Sequence, residues 1–152
     1  MDGAQFWNRH LLLPDAAATV HLGEALGARL GPGQIVFLIG DLGAGKTTLA
    51  RGIIAAWCGA VQETPSPTYT LAQSYEGPNG VLTHMDLYRL RHPEEVFELG
   101  LEDAMQEGVV LIEWPERLGG FAPKRRVEIS LSWQNGGRLA RLAALPAEGV
   151  LA

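Results

Sequence analysis

Apolar residues recur along this chain at more than one period, and each period marks out a different kind of element. Ile35-Val36-Phe37-Leu38-Ile39 is a short unbroken apolar run rich in β-branched residues, as expected of a parallel strand buried on both faces. Val109-Val110-Leu111-Ile112 is a second such run, and it ends in a carboxylate, Glu113. Leu49, Ile53, Ile54 and Trp57 recur at helical spacing, predicting a helix from about Gly45 to Cys58 with Gly59 as its stop. Alternation takes over near the C-terminus. Val127, Ile129, Leu131 and Trp133 share one face of a strand over 125–133, Gln134-Asn135-Gly136-Gly137 makes a tight turn, and Arg138 to Leu145 returns as an antiparallel partner.

The remaining patterns are weaker. Trp7 to Leu13 alternates loosely, as an edge strand would, and stops at Pro14-Asp15, which suits a helix start. Over 16–30, Val20, Leu22, Leu26 and Leu30 form an imperfect helical stripe that Gly23 and Gly27 interrupt. Leu71 to Tyr75 and Val81 to Leu87 read as strands paired through a turn at 76–80. Pro93-Glu94-Glu95 opens a helix with Val96, Leu99, Leu101 and Met105 as its buried face, and Gly100 divides it in two. The two prolines of Thr64-Pro65-Ser66-Pro67-Thr68-Tyr69-Thr70 exclude regular helix there.

Between the first apolar run and the helix lies Gly40-Asp41-Leu42-Gly43-Ala44-Gly45-Lys46-Thr47-Thr48, which satisfies G-x-x-x-x-G-K-[ST] at every specified position. A strand before it and a helix after it supply the context that a phosphate-binding loop requires. The glycines permit backbone shapes that a Cβ would penalise, so successive N–H groups can turn toward a diphosphate at a helix N-terminus. Lys46 would reach the β/γ oxygens as a point charge, and the Thr47 hydroxyl would be a ligand of Mg²⁺. The expected architecture is α/β and P-loop NTPase-like: a mainly parallel central sheet flanked by helices, with antiparallel hairpin strands added, in a single domain spanning 1–152.

Two carboxylates compete for the place opposite that loop. Glu113 ends an apolar strand and precedes Trp114-Pro115, which matches the second P-loop motif better; a structural salt bridge is its other reading. Asp86 lies on the strand that carries His84 and leads to Tyr88, and positions 84, 86 and 88 of one strand would project together, as a solvated edge or as part of a site. His84 by itself suits a hydrogen-bonded structural histidine better than a catalyst. Thr68 sits in the stiff hydroxyl-rich loop, which is either an ordinary capped loop or a segment that senses a γ-phosphate.

Totals narrow the function further. A net charge of −5 over 152 residues argues against a protein that lies along a nucleic-acid backbone, so any RNA connection is expected through a partner. The one cysteine, Cys58, has no internal partner and falls in the apolar pattern of the helix end, as a packed residue in a reducing compartment would. No apolar run approaches a membrane span and no basic-then-apolar leader opens the chain, so a cytoplasmic location is expected.

Four segments in register, GDLGAGKTT (40–48), SPTYTL (66–71), HMDLYRL (84–90) and IEWPERL (112–118), resemble the TsaE (YjeE) family over nearly the whole chain from about Leu13. The resemblance implies an ATPase accessory to the making of threonylcarbamoyladenosine in tRNA, acting with TsaB and TsaD and meeting tRNA only through that complex. Carried over by position, it implies that Gly43, Ala44, Gly45, Lys46, Thr47 and Thr48 hold the phosphates of ATP, with Thr47 and Glu113 at Mg²⁺. Lys46, Asp86, Glu113 and Thr68 are implied to serve turnover. Trp114, Arg138 and, through its backbone, Ala16 are implied to contact the nucleotide. A small-molecule P-loop kinase is the alternative; it needs an arginine-bearing lid, whereas Arg89, Arg91, Arg117, Arg125 and Arg126 are scattered around motif ends. No N-K-x-D guanine-reading sequence occurs.

Overall fold

The computed structural model describes residues 2–59 and 71–146. Its organising element is β2 (Ile35–Ile39), whose side chains are buried on both sides and alternate between two cores. Val36 and Leu38 join one apolar cluster, Ile35 and Phe37 the other. Each such side chain stabilises the fold by about 1.5–3 kcal/mol relative to exposure, which is why this run must be central.

The remaining strands are β1 (Arg9–Leu13), β3 (Ala72–Gly77), β4 (Gly80–Asp86), β5 (Gly108–Glu113), β6 (Arg126–Gln134) and β7 (Gly137–Leu145). They form a seven-stranded sheet in the order β1-β7-β6-β2-β5-β4-β3. The inner four, β6-β2-β5-β4, are mutually parallel. Antiparallel strands finish both sides: β3 beside β4, and β7 then β1 beside β6. The expected α/β architecture, parallel in the middle with hairpin strands added, is the one found.

Helices α2 (Ala16–Arg29) and α3 (Lys46–Cys58) cover one face of this sheet. The other face is covered between β2 and β4 by α4 (Leu101–Glu107) and two 3₁₀ segments, Pro93–Phe97 and Pro115–Phe121. α3 starts one residue later than expected, and Gly59 ends it in a left-handed conformation (φ 79°).

Several expectations require correction. Trp7 does not begin a strand: it is the buried end of α1 (Gly3–Trp7), which Asp2 caps by accepting the Gln5 N–H. The β3–β4 turn contains only Pro78-Asn79, because Gly77 and Gly80 already pair. The helix expected at Pro93 is a 3₁₀ segment, separated from α4 by left-handed Gly100. Gly23 and Gly27, which interrupt the apolar stripe of α2, are where it meets α3. A Cβ on Gly23 would lie 2.5 Å from the Leu49 carbonyl oxygen, one on Gly27 2.5 Å from that of Ile53, and one on Gly52 2.5 Å from that of Val20. The two backbones touch, and only hydrogen fits between them. Cys58 is half-buried against the same core.

Candidate functional site

The chain leaves β2 at Gly40 and enters α3 at Lys46, so the glycine-rich loop lies at the C-terminal edge of the parallel strands, where open α/β sheets bind ligands. Gly43 (φ 80°) and Gly45 (φ 104°) adopt left-handed backbone, which costs a residue with a Cβ about 1–2 kcal/mol. Gly45 has no side chain with which to cap α3, so the first-turn amides are left to an acceptor entering the loop.

Lys46 is buried at the start of α3. Its ammonium donates to the Gly40 carbonyl and lies 3.6 Å from the centroid of the Trp114 ring. Burial lowers the Lys46 pKa, against the opposing pull of Glu113, Glu116, Asp86 and Asp41. Trp114 is placed by an unusual backbone: φ 58° and ψ 51°, left-handed in a residue that is not glycine, just before Pro115. On its other side Trp114 meets Tyr88, ring centroids 5.0 Å apart. Strain of this kind, of order 1–3 kcal/mol, tends to collect at working sites.

Both candidate carboxylates reach the same place. Asp86 ends β4 and Glu113 ends β5, and the two are direct register partners across that parallel pair. Glu113 is 3% exposed, and its Oε2 lies 2.6 Å from Nε2 of His84, itself 3% exposed. Asp86 is half-buried, with Oδ1 accepting the Tyr88 N–H at 3.1 Å. Burial pushes the Asp86 carboxyl above its usual range; the Tyr88 amide works the other way, and Glu113 adds to the rise. His84 and Asp86 do share a face, but that face is interior, whereas Tyr88 has left the strand and turned over Trp114. The reading of positions 84, 86 and 88 as one projecting row therefore fails at Tyr88, because β4 ends at Asp86.

Arg138, at the start of β7, closes the loop from the opposite side. Its Nε donates to the Ala44 carbonyl (2.9 Å) and a terminal nitrogen to that of Gly43 (3.2 Å), while the guanidinium lies 3.3 Å from the ring centroid of Trp133. A cavity of about 350 Å³ is lined by Leu42, Gly43, Gly45, Lys46, Thr47 and Thr48, together with Asp86, Glu113, Trp114 and Arg138. A second, of about 220 Å³, shares Gly45, Thr48 and Arg138 with it and runs on to Leu13, Pro14, Asp15, Ala16, Thr19 and Gly136. The structure thus brings together every site residue expected from sequence except Thr68, which lies outside the described residues. Ala44 contributes its carbonyl, which faces Arg138, rather than a wall of the cavity. Ala16 stands at the far end, in the first turn of α2, which Asp15 caps by accepting the Ala18 N–H.

Sequence reasoning missed two connections, His84 to Glu113 and Tyr88 to Trp114. The spacing of His84 from Asp86 on one strand was the available signal for the first. The donors also fit a magnesium–nucleotide complex. Among the described residues no group of three or more His, Cys, Asp and Glu could hold a metal ion alone. Mg²⁺ in nucleotide sites instead takes one or two hard protein oxygens and completes its shell from phosphate and water. The Thr47 hydroxyl and the carboxylates of Glu113 and Asp86 supply oxygens of that type in one cavity.

Known proteins resemble this chain in sequence and in fold. Residues 13–141 match the family described as "Threonylcarbamoyl adenosine biosynthesis protein TsaE". The tRNA threonylcarbamoyladenosine biosynthesis protein TsaE of Rickettsia bellii is 42% identical over 84% of this chain and 88% of its own. The Haemophilus influenzae protein of the same name is 39% identical over 72% and 70%. The crystal structure of YdiB from Bacillus subtilis superposes with a TM-score of 0.76 at 26% identity, covering 91% of this chain and 86% of that one. With a glycine-rich loop between strand and helix, two strand-end carboxylates and a match running from Leu13 to Arg141, the chain belongs to the TsaE family of threonylcarbamoyladenosine biosynthesis.

Proposed function

We propose that the protein binds ATP with Mg²⁺ and hydrolyses it as an accessory subunit of the machinery that makes N6-threonylcarbamoyladenosine at position 37 of tRNA. It acts with TsaB and TsaD in the cytoplasm and meets tRNA only through them, in keeping with a net charge of −5. Among the described residues no helix is long and apolar enough to cross a membrane. The observation that carries the reading is the convergence of Lys46, Thr47, Glu113 and Asp86 on one cavity at the end of the parallel strands.

Each residue then has a task. Amides from Gly43 to Thr48 hold the phosphates, and Lys46 exchanges the Gly40 carbonyl for their oxygens. Thr47 and Glu113 hold Mg²⁺, which when bound offsets the charge that develops as the terminal phosphoryl group leaves. Asp86, half-buried and with its carboxyl shifted upward, orients the attacking water. Trp114 covers the lysine side of the pocket, Arg138 fixes the loop through the Gly43 and Ala44 carbonyls, and the backbone at Ala16 faces the base end. Thr68 is assigned to the segment that responds to the γ-phosphate. Turnover is slow in the free protein and rises in the complex.

The test is release of phosphate from γ-labelled ATP with and without Mg²⁺ and with and without TsaB and TsaD. Mg²⁺-dependent release that increases in the complex supports the reading. Faster transfer to a metabolite than to water would replace it with the small-molecule kinase, and no nucleotide binding would end both.

A further inference from the structure

We propose that His84 is a positioning residue for the metal-holding carboxylate, fixing which oxygen of Glu113 faces the phosphate loop. The inference rests on the magnesium–nucleotide reading of the cavity and extends it to a residue that does not line that cavity. Its basis is the 2.6 Å contact between His84 Nε2 and Glu113 Oε2, with both residues 3% exposed. An ionised carboxylate can only accept hydrogen bonds, so the ring nitrogen that faces Glu113 is the one that carries the hydrogen. With Oε2 held in this way, Oε1 is the oxygen left to face the cavity that Glu113 lines.

The strand geometry shows why such a tether is needed. Asp86 and Glu113 are direct partners on adjacent parallel strands, where facing like charges repel and turn side chains apart. Each carboxylate has one oxygen committed to a protein donor: Asp86 Oδ1 to the Tyr88 N–H, Glu113 Oε2 to His84. The other oxygen of each is thereby set before a ligand arrives. Because 84 and 86 lie on the same face of β4, one strand supplies both the second carboxylate and the donor that orients the first. Donors of this kind behind a metal-ligating group typically matter by about 10–100-fold in metal affinity or activity.

The geometry separates positioning from simple filling of space. A glutamine amide nitrogen stands as many bonds from Cα as histidine Nε2, so His84→Gln retains a donor at that place; His84→Asn puts its donor where Nδ1 stood and cannot reach. The experiment is calorimetric titration of ADP into each folded variant over a series of MgCl₂ concentrations and in EDTA, with ATP turnover and thermal midpoint recorded alongside. For His84→Asn and His84→Leu we expect the Mg²⁺ concentration that half-restores ADP affinity to rise about 10–100-fold, with affinity in EDTA unchanged. For His84→Gln it stays within about threefold of the parent. If Asn and Gln behave alike, or if both lower the thermal midpoint without moving the Mg²⁺ dependence, His84 is structural and the proposal is overturned. A parent protein whose ADP binding does not respond to Mg²⁺ overturns the magnesium–nucleotide reading itself, and this inference with it.

Discussion

Replacing Gly52 with alanine sets two effects of opposite sign against each other, and the contact between α2 and α3 decides between them. Helix propensity favours the change: alanine in a helix interior is better than glycine by about 1 kcal/mol. Packing opposes it, because the new Cβ would sit 2.5 Å from the Val20 carbonyl oxygen, 3.1 Å from the Gly23 Cα and 3.2 Å from the Glu24 nitrogen. All three atoms are backbone, so no rotamer change relieves the clash; the helices must separate by roughly 0.5–1 Å, forfeiting a quarter to a half of each contact along the seam. Overpacking of this sort costs about 1–3 kcal/mol, and the rigid neighbours place it at the upper end. The net expectation is a loss of about 2 kcal/mol, or about 4–8 °C in thermal midpoint for a chain of this size. Nucleotide affinity falls as well, since α3 carries Lys46 and Thr47 at its first turn. Gly120→Ala is the control: no atom lies within 4 Å of its Cβ position and it is not in left-handed backbone, so its midpoint changes by no more than about 2 °C. Circular dichroism melts of both variants suffice. A Gly52→Ala protein that melts at or above the parent would show that propensity wins and that the close approach is not rigid.

Three further outcomes are expected. Glu113→Gln keeps an acceptor for His84 but removes the charge, so Mg²⁺-dependent ATP turnover should drop about 100-fold while nucleotide binding in EDTA persists; equal loss of both would make Glu113 structural. Arg138→Met removes two charge-assisted hydrogen bonds to the glycine-rich loop and the contact with Trp133, and should weaken ADP binding about tenfold with a midpoint lower by about 2–4 °C; unchanged affinity would confine Arg138 to the hairpin. Asp86 has a folded pKa raised above its unfolded value, so its favourable contribution is present at low pH and is lost as pH rises through the folded pKa. Asp86→Asn, which still offers Oδ1 to the Tyr88 amide, should therefore melt higher than the parent at pH 7 by about 2–4 °C, solvent access keeping the gain small. The gain should shrink toward pH 4 while turnover at pH 7 falls. A difference that does not vary with pH would contradict the assignment.

The parts legible in advance were those written locally. The run at 35–39 matches a doubly buried strand, and the loop at 40–48 needed only its own residues and the strand and helix patterns on either side. The alternation from Val127 marked the buried face of β6 as far as Leu131, failing at Trp133, which is 60% exposed beneath the Arg138 guanidinium. Glu113 was legible because an apolar strand ending in a carboxylate is unusual without a use for the charge. What escaped depends on contacts between distant segments. Arg138 was marked only by the family resemblance; from its own segment it reads as a surface residue, until β7 is laid beside β6 and brings it to Ala44, 94 positions away. Gly23 and Gly27 read as interruptions of a helical stripe and Gly52 carries no signal of its own, because no single-segment pattern shows that they face each other. His84 reads as a hydrogen-bonded structural histidine, but its partner, Glu113, is not visible until β4 and β5 pair in parallel. Tyr88 was misplaced for a different reason: the strand period was extended two residues beyond Asp86, where the chain turns over Trp114.

The central claim is that one cavity holds a magnesium–nucleotide complex between the glycine-rich loop and two strand-end carboxylates. It is tested most directly by a crystal structure of the protein grown with Mg²⁺ and a non-hydrolysable ATP analogue. The account predicts the β-phosphate on the amides between Gly43 and Thr47, Lys46 withdrawn from the Gly40 carbonyl toward the phosphates, and the ion between the Thr47 hydroxyl and the Glu113 carboxylate. A nucleotide bound elsewhere, or an ion touching neither Glu113 nor Asp86, would contradict it.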